Sequence, residues 1–218
     1  MVHLYALVDH PARVPDVAGV AGSQLAAAEA DGVDAVYGDA PETAAATEEA
    51  VLAHARVVEE LAAVNDAVLP ARYPGRYDDT AALVDAIRGR ASQLHEALDR
   101  VRGCVEMGVR VVRQGADEHD PSRSGGEYMR RRLAAVHDAE RLGAELDAAV
   151  ATVTRDCSRS VTATDELVLS AAYLLPRGAA DSFRTAVETL ARHRPGLAFV
   201  CVGPWPPYSF ALVDGGAA

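Results

Sequence analysis

The sequence predicts an α+β protein of two domains, an N-terminal α+β unit over 1–102 and a C-terminal ferredoxin-like βαββαβ unit over 103–218. Three observations carry this. Short apolar runs rich in β-formers alternate with longer segments whose apolar residues recur at helical spacing. From Gly103 to Val202 they read β-α-β-β-α-β, the split βαβ order, with both helices on one face of a four-stranded antiparallel sheet. The 218 residues, 50% of them apolar, suffice for one large domain or two small ones.

VHLYALV (2–8) is a strand, bounded by Asp9-His10-Pro11. The start of the chain has no basic flank and is interrupted by His3 and Asp9, so it reads as a strand and not a signal peptide; a cytoplasmic location is expected. Residues 11–22, with Pro and Gly at intervals, read as a loop. Two short segments then flank Asp31-Gly32, a hairpin signal, although alanine richness leaves the first arm ambiguous with helix. The next segment is a helix with Thr43 as its cap and Val51, Ala55, Val58 and Ala62 inward. VLPARY (68–73) is a strand ended by Pro74-Gly75. Residues 79–102 form a single helix with an unbroken stripe of Leu83, Ile87, Ala91, Leu94, Leu98 and Val101, stopped by Gly103.

CVEMGVRVVRQ (104–114) is the next strand, and a polar, glycine-containing loop follows to about residue 127. A long helix carries Met129, Leu133, Val136, Ala139, Leu142, Leu146, Val150 and Val153 on one stripe. Two strands flank Asp165-Glu166, a helix places Phe183, Val187 and Leu190 inward, and 197–202 is the last strand. GPWPPYSF (203–210) closes the chain. Its prolines remove donors and bar a central strand, and residues preceding proline are pushed to extended backbone. It reads as a stiff clasp, with Trp205 packed over a domain core or a seam.

Composition narrows function. The net charge is −11, and residues 1–66 hold 12 acids against two arginines. Nucleic acid and anionic lipid both demand a basic face, so neither is expected as a partner. All 21 basic residues are arginine. No run approaches the length of a membrane span. Cys104, Cys157 and Cys201 are widely spaced and odd in number, and read as buried free thiols.

Chemistry-bearing motifs are absent from the sequence: no GxxxxGK[ST], GxGxxG, HExxH or GxSxG. No two of the seven histidines lie three or four residues apart, so no helical pair is set to clamp a metal. His54, His95 and His137 read as ordinary, partly exposed histidines on helices. Glu106, mid-strand among apolar neighbours, is either a proton-transfer group or a sheet-face residue paired with Arg72, Arg110 or another arginine; pairing is favoured. Arg130-Arg131-Arg132 near a helix start reads as a solvated face, or as a contact for an acidic surface. Arg72, Tyr73, Arg76 and Tyr77 sit on a Pro/Gly-punctuated turn of interface composition. No catalytic residue, cofactor or metal site is expected. Arg72, Tyr73, Arg76, Glu106, Trp205, Pro206, Pro207, Tyr208 and Phe210 are the structural or partner-contact candidates.

These residues resemble a known family. GPWPPYSF is similar to the C-terminal hallmark of the gas vesicle accessory family GvpL/GvpF. VHLYALV resembles its opening strand, VLPARYPGRYDD its Leu-Pro-x-Arg-aromatic segment, GCVEMGVRV its glycine-x-x-glutamate strand, and LVLSAAYLLPRGAADSFRTAV its late strand-to-helix region. The anchors come in order and span nearly the whole chain. Where members often carry Phe-Gly after the arginine, this chain has Tyr73-Pro74-Gly75. The resemblance implies an assembly factor and minor vesicle component, not an enzyme, that engages the small, very hydrophobic shell protein and other accessory proteins. It implies a place at the gas vesicle in the cytoplasm. The competing expectations are a ferredoxin-like α+β enzyme and a ligand-sensing regulatory module, because this fold hosts many activities.

Overall fold

Local signals set most of the elements seen in the computed structural model, which describes residues 1–40, 47–114, 125–160 and 167–211. Strand β1 (Val2–Asp9) is buried along nearly its whole length, so its sheet is covered on both faces at this strand. The alanine-rich arm resolves as strand β2 (Leu25–Ala30), which pairs in antiparallel register with β3 (Val33–Asp39). Asp31 and Gly32, with φ of 49° and 80°, make the tight turn between them. Helix α1 (Glu48–Val64) begins at Thr47, whose hydroxyl accepts from the Ala50 N–H at 3.2 Å; the expected cap, Thr43, lies outside the described residues. Short strands β4 (Val68–Pro70) and β5 (Arg76–Tyr77) complete a sheet of order β2-β3-β1-β4, with β5 also on β1.

The expected single helix over 79–102 is two. Helix α2 (Thr80–Arg88) is capped by Asp79, which accepts from the Ala82 N–H at 2.8 Å, and α3 (Ala91–Val101) follows a break at Gly89-Arg90. Glycine is a poor helix-interior residue, and Arg90 leaves helical geometry at φ −133°, ψ 13°. The break lets Leu83 and Ile87 on one helix and Leu94, Leu98 and Val101 on the other each find the core.

The rest of the chain is β6 (Cys104–Arg113), α4 (Gly125–Val150), β7 (Asp156–Ser160), β8 (Leu167–Pro176), α5 (Ala180–Arg192) and β9 (Leu197–Trp205). The sheet order is β7-β8-β6-β9, which places β9 at an edge. Both sheets are antiparallel. One core gathers Met107, Val109 and Val111 of β6, Leu142, Leu146 and Val150 of α4, Tyr173 of β8, and Phe183 and Val187 of α5. The α4 stripe is buried only in its later turns: Met129 and Leu133 are 63% and 57% exposed. The expected loop at 115–124, with His119, and the turn at Asp165-Glu166 lie outside the described residues, as does the Arg131 side chain.

β9 runs three residues further than the sequence indicates, through Gly203 and Pro204 to Trp205. An edge position explains this, since an outward-facing residue there needs no N–H for the ladder. Gly203 is not extended as expected but has φ 109°, a conformation open to glycine, and the Gly203-Pro204 peptide is cis.

The chain divides into two compact units, Met1–Cys104 together with Trp205 onward, and Val105–Pro204. The sequence places the whole tail with the second unit; in the structure the tail from Trp205 returns to the first. There Phe210 is buried and the short turn Tyr208–Phe210 lies against β4. Among the described residues no helix is long and apolar enough to cross a membrane.

Candidate functional site

In the first unit, β1, α1, the 71–77 turn and the tail converge on one aromatic cluster. β1 places His3 and Tyr5 on the face toward α1, and α1 supplies His54 from the same turn as Val57 and Val58. His3 and His54 are 2% and 3% exposed. His3 Nε2 lies 2.8 Å from His54 Nδ1, and His54 Nε2 lies 3.0 Å from the Ala71 carbonyl oxygen. A carbonyl only accepts, so His54 Nε2 carries the proton; neutral His54 then offers Nδ1 as acceptor, and His3 Nε2–H donates to it. Both rings are held neutral in defined tautomers.

Aromatic rings close around the pair. Tyr5 packs edge-on to His3 at 4.7 Å and stacks with His54 at 5.4 Å, and Tyr73 sits 5.3 Å from His3 and 5.7 Å from His54. The Tyr5 hydroxyl accepts from the Val20 N–H at 2.7 Å, tying down the loop before β2. Burial, then the neighbouring His54 and Arg76, holds the His3 pKa down at about 4. Burial also lowers that of His54, against the hydrogen bond to Ala71, which raises it. Tyr208 packs against the same core, where burial and the Glu59 carboxylate push its phenol up to about 12.

Several residues singled out from sequence meet here. Tyr73 packs into the cluster, Arg76 pairs opposite His3 in the β1–β5 ladder, and Tyr208 joins from the tail. Pro206 and Pro207 are buried. The Phe210 ring is 2% exposed, and the Arg100 guanidinium stands 5.4 Å from its centroid. Trp205, expected to pack over a core, is 44% exposed, so the buried contact of this tail is made by Pro206, Pro207 and Phe210. Arg72 is exposed. Glu106 is 9% exposed in β6 of the second unit, so it belongs to a different unit from the Arg72–Arg76 turn. The cysteines are free, but only Cys104 is buried; Cys157 is exposed.

His54 is the correction that matters most. Its position on α1 is buried, because the inward stripe is His54, Val57, Val58 and Leu61, one step away from the expected Val51, Ala55, Val58 and Ala62. Val51 and Leu52 are 43% and 60% exposed instead. The available signal was a histidine three and four residues before a Val-Val pair.

Elsewhere the second unit carries a polar tie: the Asp147 carboxylate accepts from the Tyr173 hydroxyl at 2.7 Å and from Arg159, whose guanidinium passes over Gly143. Burial and Asp147 push the Tyr173 phenol up strongly. On β9, Val200 and Val202 are 46% and 38% exposed. Among the described residues no group of three or more His, Cys, Asp and Glu is placed to hold a metal ion.

The profile described as gas vesicle synthesis protein GvpL/GvpF matches residues 1–212. The chain belongs to the GvpL/GvpF family. Gas vesicle protein F2 of Halobacterium salinarum is 27% identical over 222 residues, covering 99% of this chain and 94% of that protein. Gas vesicle protein L of a Streptomyces species is 31% identical over 186 residues, 75% of this chain and 69% of that protein. The crystal structure of GvpF from Anabaena sp. PCC7120 superposes with a TM-score of 0.80 at 18% identity, covering 100% of this chain and 98% of that one. GvpF from Microcystis aeruginosa gives 0.78 at 19% identity over 97% and 99%. The two structures thus share the GvpF fold with this chain from end to end. In the aromatic cluster both imidazoles are neutral and the rings pack closely.

Proposed function

We propose that this GvpL/GvpF family member is an assembly factor that binds the hydrophobic gas vesicle shell protein, limits its aggregation and supports vesicle nucleation, acting in the cytoplasm and remaining as a minor vesicle component. The observation that carries the reading is the family match, which runs through both units and the tail. The structure supports it in kind. Exposed apolar side chains stand on an edge strand at Val200 and Val202. Such a surface suits an apolar partner better than a charged one. We further read the second unit as ferredoxin-like, which its element order and its strand order β7-β8-β6-β9 support.

Co-expression with the vesicle shell protein tests the function. The expected result is that the shell protein co-purifies with this chain and that its soluble fraction rises. A shell protein that neither co-purifies nor gains solubility refutes the proposal, as does normal vesicle formation after deletion of the gene.

A further inference from the structure

We infer that β9 takes up an extended, uncharged apolar segment of the shell subunit as an added strand, an inference that rests on the assembly-factor reading above. β9 ends its sheet, and a strand at a sheet edge turns every second set of backbone N–H and C=O groups outward. Proteins blunt such edges with charge, brevity or cover. The opposite edge of the same sheet carries charge: Asp156 and Arg159 lie on β7. β9 has nine residues, Leu197–Trp205, and not one Asp, Glu, Lys or Arg among them.

Burial on β9 is unfinished on both faces. Leu197, Phe199 and Cys201 pack against the unit's core yet are only half-buried, while Val200 and Val202 of the alternate face are exposed. One added strand would cover both sets at once, because its side chains alternate with the same period of two. The C-terminal end is closed to pairing. The Gly203 carbonyl already accepts from the Arg184 guanidinium at 2.6 Å, and Pro204 has no N–H. Pairing is therefore confined to Leu197–Val202.

Charge selects the occupant. A segment bearing an ionised side chain would desolvate it against valine and phenylalanine with no counter-charge on the strand. A second copy of this chain brings its own net charge of −11 against the same −11, which opposes self-pairing of β9. An uncharged apolar segment meets neither penalty.

The test uses the full chain co-expressed with the shell protein. Val200→Lys places a charge at an exposed position and is expected to leave the melting temperature within a degree or two while cutting shell-protein retention at least tenfold. Leu133→Lys, at an apolar site on α4 that is 57% exposed, is expected to retain the shell protein as the unmodified chain does. Amide exchange over 197–202 is expected to slow when the shell protein is bound. Retention by Val200→Lys at the unmodified level, equal loss in both variants, or unchanged exchange over 197–202 overturns the strand-addition inference alone. Failure of the unmodified chain to retain any shell protein overturns the assembly-factor reading with it. A dimer in sizing experiments that Val200→Lys dissolves refutes the shell segment as occupant and assigns the edge to a second copy.

Discussion

Acidification from pH 7 to pH 5 is a direct probe of the His3–His54 pair. In the unfolded chain His3 titrates near 6.5; in the folded protein burial, His54 and Arg76 hold it at about 4. Between those values the unfolded state binds a proton that the folded state refuses, so stability falls as pH falls. The contribution is complete above 6.5, and at pH 5 about 2 kcal/mol of it has been lost, rising to about 3 kcal/mol below pH 4. His54, lowered in the same direction, adds to the loss. At 2% exposure, solvent screening does not dilute the effect. The assay is urea denaturation at pH 7, 6, 5 and 4, followed by fluorescence of Trp205, the single tryptophan, which groups with the first unit. His3→Gln keeps a side-chain N–H for His54 Nδ1 but cannot titrate, so background carboxylates cancel in the comparison. The unmodified chain is expected to lose about 2 kcal/mol more than the variant between pH 7 and pH 5. Parallel stability curves for the two proteins would show that the pair does not carry the acid sensitivity and would refute the tautomer assignment's energetic consequence.

Four further outcomes follow from the burial and contacts of named residues. Phe210→Ala should cost about 3–5 kcal/mol in urea denaturation, because a fully buried ring leaves a cavity, whereas Trp205→Ala should cost under about 1 kcal/mol, since that ring is half exposed. Gly75→Ala should destabilise by about 1–3 kcal/mol: a Cβ there would stand 2.7 Å from the Leu4 carbonyl oxygen, whose own strand donates its Leu4 N–H to the Gly75 carbonyl. Tyr173→Phe should cost about 1–2 kcal/mol by removing the hydroxyl that donates to Asp147, read as a lowered midpoint in thermal melts.

Periodicity and turn chemistry made most elements legible from sequence, because these are local properties. The β2–β3 hairpin follows from Asp31-Gly32, whose backbone conformation the two residues favour without help. The β-α-β-β-α-β order of 104–205 and the inward Phe183 and Val187 follow from apolar spacing. The octet GPWPPYSF carried the family, since so many prolines and aromatics in eight residues are rare by chance. Packing decided the rest. Whether 79–102 is one helix or two depends on how each apolar stripe meets the sheet, and a propensity difference of about 1 kcal/mol at Gly89 is too small to settle it alone. Which residues of α1 face inward differed by one step of the helix, and that step moved His54 from surface to core. The same holds for the pair itself: His3 and His54 are 51 residues apart, and no local pattern can announce a hydrogen bond between them. Pro204 reads as a strand breaker until the sheet order puts β9 at an edge, where its missing N–H is not needed. The aromatic tail was visible from the start, but only tertiary structure sends Phe210 back to the first unit and leaves Trp205 half in solvent. Local sequence specifies conformation through backbone sterics and side-chain period, whereas burial is a property of surfaces that distant segments bring together.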